Sequence, residues 1–122
     1  MFTCLIRYVV DHNKREEFEK YACTWMRLIE KYGGIHHGYF LPVKNSNEAP
    51  NPSFSFPGIG ENGPSNVAVA LFSFSSLEKY EAYRKEIKND EESRSITAHF
   101  KETQCFVSYE RSFLQPLFPD SK

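Results

Sequence analysis

The sequence predicts an α+β fold, one antiparallel sheet with its helices on a single face. Three observations carry the prediction. Four runs are rich in β-branched and aromatic residues, and turn residues bound them. Between the runs the apolar spacing twice switches to the i, i+3/i+4 period of a helix. The third of the four runs is apolar at every second position and also at the positions between. At 122 residues the chain can build one core and not two.

The first run, "FTCLIRYVV", reads as a strand covered on both faces. In "DHNKREEFEKYACTWMRLIEKYGG" Phe18, Tyr21, Ala22, Trp25, Leu28, Ile29 and Tyr32 fall on one helix face, with charges on the other. Asp11 or Asn13 can cap its start, and Gly33-Gly34 supplies a left-handed stop. "IHHGYFLPV" is a second strand, closed by Pro42. Residues 44–64, "KNSNEAPNPSFSFPGIGENGP", have no period and form a long connection that a compact domain keeps only for a reason. "VAVALFSFS" is the third strand. Ser75 or Ser76 then caps a helix in which Leu77, Tyr80, Tyr83 and Ile87 keep helical spacing. A further helical piece, "DEESRSITAHFKET", is anchored by Ile96 and Phe100, and "CFVSYERSFLQP" is the last strand. The domain therefore spans 1–115, followed by a Pro-punctuated tail at 116–122.

This order, β-α-β-β-α-β, is that of the ferredoxin-like split βαβ, whose helical crossovers put both helices on one sheet face. The second face should then be polar, yet Val67, Val69 and Leu71 alternate with Ala68, Ala70, Phe72 and Phe74. A second copy of the sheet is the simplest cover, which predicts a two-fold homodimer with the sheets closed into a barrel.

Net charge near −1 gives neither nucleic acid nor an anionic membrane a reason to bind. The start lacks a positive segment followed by an apolar run and a cleavage site, so the expected location is cytoplasmic. Cys4, Cys23 and Cys105 make neither a disulfide framework nor a zinc pattern and are read as reduced core cysteines. No metal and no cofactor is expected. "PGIGENG" is not a phosphate loop, because it neither follows a strand nor opens a helix.

Taken together, "CLIRYVVDHNKREEFEKYACTWMRLIEKYGGIHHGYFLP", "VAVALFSFSSLEKYEAYRK" and "YERSF" resemble the NIPSNAP family of the dimeric α/β-barrel superfamily. The resemblance spans the chain except 44–64 and the tail. It implies the ferredoxin-like fold, a barrel-forming homodimer, and a pocket between sheet and helices or inside the barrel. It brings no agreed catalytic residues. Wider relatives include cofactor-independent monooxygenases, heme-degrading enzymes, isomerases and dehydratases, and a shared fold does not choose among them.

Neighbours on a regular strand point to opposite faces, so His36 and His37 do not chelate one ion. One should face the sheet–sheet cavity, where a near-neutral imidazole can act as general base. Arg7 alternates with Cys4, Ile6 and Tyr8, the better helix-facing set, and so should point into that cavity with Phe106, Ser108 and Glu110. There it either pairs with Glu110 or binds a substrate carboxylate. Tyr39 and Tyr109 can add phenolic donors, and Arg111 joins them as a candidate substrate-binding residue. In the long connection Phe54, Phe56 and Ile59 have no place in a solvated loop. They should dock as a lid over the pocket or as an arm across the partner. Two function classes stay open: a small-molecule-binding protein or enzyme with an apolar pocket, and a non-catalytic scaffold with a filled barrel.

Overall fold

The computed structural model describes residues 1–44 and 49–119; what the sequence predicts for 45–48 and 120–122 lies outside the described residues. The strands are β1 (Phe2–Val10), β2 (Ile35–Phe40), β3 (Val67–Phe74) and β4 (Phe106–Leu114). The helices are α1 (Arg15–Lys31), α2 (Leu77–Glu86) and α3 (Glu91–Thr103). Short 3-10 turns, His12–Lys14 and Ile87–Asn89, lead into α1 and join α2 to α3. The sheet order is β2-β3-β1-β4, every pair antiparallel. This is the predicted split βαβ topology.

The caps follow the side-chain chemistry. Asp11 accepts from the Asn13 N–H, Ser76 from the Lys79 N–H, and Asp90 from the Ser93 N–H. α1 stops because Gly33 adopts φ +90°, which lets its N–H reach Glu30 O while the Gly34 N–H reaches Ile29 O. These two bonds satisfy carbonyls that the last turn would leave open.

The core lies between the sheet and the helices. Cys4, Ile6, Tyr8 and Val10 of β1 and Ala68, Ala70, Phe72 and Phe74 of β3 bury against Phe18, Ala22, Leu28 and Ile29 of α1 and Tyr80 and Tyr83 of α2. The helix-facing side of β1 is therefore the one that the alternation predicts. Two side chains depart from the sequence reading. Cys23 is exposed on α1 rather than in the core, and Leu77, the first residue of α2, is exposed as well.

Two bulges reset which side chains share a face. In β2 the register shifts between His36 and Gly38, and Gly38 takes φ +115°. His37 becomes the extra residue, so His36 and Tyr39, three apart, both face the helices. In β4 Val10 pairs with Phe106 but Val9 pairs with Ser108. The extra residue, Val107, turns Phe106 to the helix side, where it buries against Tyr8 and Phe100. Phe106 is thus not beside Arg7, contrary to the alternation read from sequence.

The opposite face carries Leu5, Val9, Val67, Val69 and Leu71, half-buried within one chain, flanked by exposed Ile35, Phe40 and Leu114. Among the described residues no helix covers it.

Candidate functional site

A cavity of about 270 Å³ lies between the helix-facing side of the sheet and the helices. Its floor is Ile6, Tyr8, Phe72, His36 and Tyr39; α1 contributes Tyr21, Trp25 and Ile29; α2 and the turn after it contribute Tyr80, Tyr83, Arg84 and Ile87; β4 contributes Tyr109 and Arg111. A more open hollow of about 500 Å³ adjoins it and shares Tyr8, Tyr21, Tyr109 and Arg111.

The walls are mostly aromatic, and the rings fix one another. Tyr8 packs edge-on against Phe18 at 5.2 Å and lies within 5.9 Å of Tyr39, with a 3.4 Å contact between the two hydroxyls. His36 stacks on Tyr39 at 5.2 Å with the planes 9° apart. Trp25 is the chain's single tryptophan, and its buried indole N–H has no hydrogen-bond partner among the described residues.

Burial decides the ionisation of the lining groups. Desolvation pushes the phenols of Tyr8, Tyr21, Tyr39 and Tyr83 upward, so all four are neutral at physiological pH. Desolvation, and then repulsion from His37, lowers His36 to about 4. Its Nδ1 accepts the Gly38 N–H at 2.9 Å, which leaves Nε2 carrying the proton. Such an imidazole is a hydrogen-bond donor with its basic nitrogen occupied. The general-base role is expected of the histidine on the sheet–sheet face, and His36 lies on the helix side instead.

The two guanidiniums are each set on a tyrosine. Arg84 donates to the Tyr80 hydroxyl at 3.1 Å and lies 5.9 Å from that ring's centre; Arg111 lies 5.6 Å from the centre of Tyr109. Both are exposed as well as cavity-lining, so they stand where the cavity meets solvent.

The remaining predicted residues lie elsewhere. Arg7 and Glu110 are cross-strand partners on the uncovered face, 3.9 Å apart, with 42% and 77% of their side chains exposed. They are paired, but not buried within one chain, and they do not meet Tyr39, Tyr109 and Arg111 on the other side of the sheet. His37 is also on the uncovered face, its Nε2 2.9 Å from Ser73 Oγ, which in turn lies 2.7 Å from Thr3 Oγ1. Phe54, Phe56 and Ile59 are 82%, 68% and 80% exposed and line neither hollow. They do not form a lid over this chain's own pocket. Among the described residues no three His, Cys, Asp or Glu side chains gather as a metal site would require.

Sequence reasoning missed Arg84 and treated Tyr8, Tyr21, Trp25, Tyr80 and Tyr83 as core alone. One signal was available: an arginine four residues after a core tyrosine on a helix can lay its guanidinium along that ring.

The chain matches the sequence profile of the NIPSNAP family over residues 54–122. None of the curated proteins matches it. Solved structures that it resembles include an uncharacterized NIPSNAP domain protein from Burkholderia xenovorans, at 15% identity and TM-score 0.69 over 100% of both chains. A NIPSNAP family protein with unknown function from Agrobacterium tumefaciens is 19% identical, with TM-score 0.67 over 95% of this chain and 87% of that one. A putative antibiotic biosynthesis monooxygenase from Nitrosomonas europaea is 8% identical, with TM-score 0.63 over 97% and 100%. At these identities the likeness extends to the fold alone.

Proposed function

The chain belongs to the NIPSNAP family, and from that premise we propose that it binds a small organic molecule in the cavity between sheet and helices, as a homodimer joined through the uncovered sheet face. The observation that carries the binding reading is the cavity itself. A well-packed core leaves few voids larger than a water molecule, whereas this one is about 270 Å³, is partly open, and has two exposed arginines in its lining. A scaffold with no ligand has no reason to keep an aromatic-walled space open.

Binding fits the lining better than proton transfer does. The phenols are held neutral, the imidazole has a low affinity for protons, and among the described residues no carboxylate lines the cavity. No group there is poised near neutral pH to take a proton from a substrate.

The dimer rests on the apolar face of Leu5, Val9, Val67, Val69 and Leu71, which one chain leaves open to water. A second sheet packed on it would exclude that water and close a barrel.

The test uses Trp25. As the only tryptophan and a wall of the cavity, it reports occupancy by its own fluorescence. Titration with a panel of small aromatic acids, amides and alcohols should give a saturable change at one ligand per chain. A folded protein whose fluorescence stays flat across the panel would reject the cavity as a binding site.

A further inference from the structure

We infer that the cavity's ligand is an organic anion, a flat aromatic or conjugated body whose carboxylate or comparable acidic oxygens sit between Arg84 and Arg111. This rests on the binding reading above and adds to it the charge and orientation of the ligand.

The cavity has two ends of different character. Deep in the fold it is lined by Ile6, Ile29 and Phe72 with the rings of Tyr8 and Tyr39, a surface that takes a flat apolar body. At the solvent end stand Arg84 on α2 and Arg111 on β4. Among the described residues neither has a carboxylate partner, although Arg7, Arg27 and Lys31 each do. Among the described residues no Asp or Glu lines the cavity to cancel the two charges.

Both arginines line the same cavity, and both act on the same buried groups. The phenol of Tyr83, raised chiefly by desolvation, is drawn back by Arg111 and by Arg84; the buried Cys4 thiol, also raised chiefly by desolvation, is drawn back by the same two arginines. Each arginine is also held in place before any ligand arrives, Arg84 by its bond to Tyr80 and Arg111 by its seat on Tyr109. Pre-set guanidiniums lose less freedom on binding, and their planar forks match the two oxygens of a carboxylate. Neutral phenols and a neutral imidazole add donors without adding negative charge that would repel the ligand. An amine or other cation would meet two positive charges and no counter-charge.

Two probes of the same shape separate this inference from the pocket reading: naphthoate, which is anionic, and naphthamide, which is neutral. Both are titrated into the full chain and followed by Trp25 fluorescence. Naphthoate should bind at least roughly tenfold more tightly, the difference expected when charge-assisted hydrogen bonds replace neutral ones. Arg84→Gln and Arg111→Gln should each weaken naphthoate and leave naphthamide unchanged. Arg27→Gln, which alters an exposed arginine paired with Glu92 away from the cavity, should change neither. Equal affinity for the two probes, or arginine variants that weaken both alike, would overturn the anion inference while the pocket reading stands. Saturable binding of neither probe by a folded chain would overturn both.

Discussion

The imidazole of His36 lies flat against Tyr39 with its Nδ1 already accepting a backbone N–H, so protonation has to displace packing rather than water. Its folded value, about 4, lies below the ordinary 6.5. Above 6.5 the ring is neutral in folded and unfolded chains alike, and its contribution to stability is complete. Between 6.5 and about 4 the unfolded chain binds a proton that the folded chain refuses, so stability falls as pH falls through that window. Chemical denaturation at stepped pH should show the loss, and His36→Gln should flatten that part of the profile. A profile unchanged by the substitution would mean that His36 is not the group responsible. On the other side of the sheet, the Arg7–Glu110 pair is exposed in a single chain, and pairs of that kind contribute roughly 0–1 kcal/mol. Under a partner sheet the same two charges lose their water, and a double-mutant cycle should return a coupling of roughly 1.5 kcal/mol or more. A smaller coupling in the associated protein would mean that this part of the face stays wet. At this scale the sequence told the helix side of β1 correctly, because Cys4, Ile6 and Tyr8 contrast with Arg7. It misplaced Phe106 because counting by twos cannot see the extra residue at Val107, and only the paired strand reveals it.

Asp90 ties elements together. Its carboxylate caps α3 through the Ser93 N–H and accepts from Lys31 Nζ at 2.7 Å and Tyr32 OH at 2.6 Å, both at the end of α1. These bonds, Lys31's foremost, hold the carboxyl well below the usual carboxylate range, and its side chain is only 2% exposed. The sign is that of a depressed acid. The stabilisation is present above the ordinary value of 3.8 and is lost as pH falls below it, a window separate from that of His36. Asp90→Asn should lower stability at neutral pH and remove the steep loss below about pH 4 that the parent shows. If parent and variant lose stability in parallel there, other carboxylates set the acid limb. Helical spacing made α1 legible in detail, since Phe18, Ala22, Leu28 and Ile29 all bury as their period predicts. The spacing in α2 was less informative. Its buried side chains, Tyr80 and Tyr83, were recognisable, whereas the cavity-lining Arg84 reads in sequence like any exposed charge.

For the molecule as a whole the pattern of apolar faces was the most readable quantity, because strand alternation and the β-α-β-β-α-β order leave one topology that buries the core. The family resemblance implied a pocket, but the residues themselves did not show it, since a void is made by the sum of many side-chain shapes and no single residue announces it. The uncovered face leads to the proposed homodimer, with a total buried area of order 2,000 Å². Light scattering at micromolar concentration should find two chains; a monomer would sink the barrel. In the connection, Phe54, Phe56 and Ile59 stand exposed on a turn closed by the Ile59 N–H bonding to Phe56 O. Replacing 46–62 with a short Gly-Ser turn should therefore weaken the dimer and leave ligand affinity unchanged. Lost affinity in an intact dimer would point instead to a lid borrowed from the partner. The pairing of β1 with β4 has a mechanical side as well. Thr3 lies across from Leu114, so the two chain ends leave the sheet at the same corner. A force applied through those ends meets the ladder one antiparallel bond pair at a time, as in a zip, instead of shearing all the bonds at once. Tension along the chain would peel β4 from the edge first, and with it Tyr109 and Arg111, so the cavity would lose its outer wall while the rest of the core was still folded.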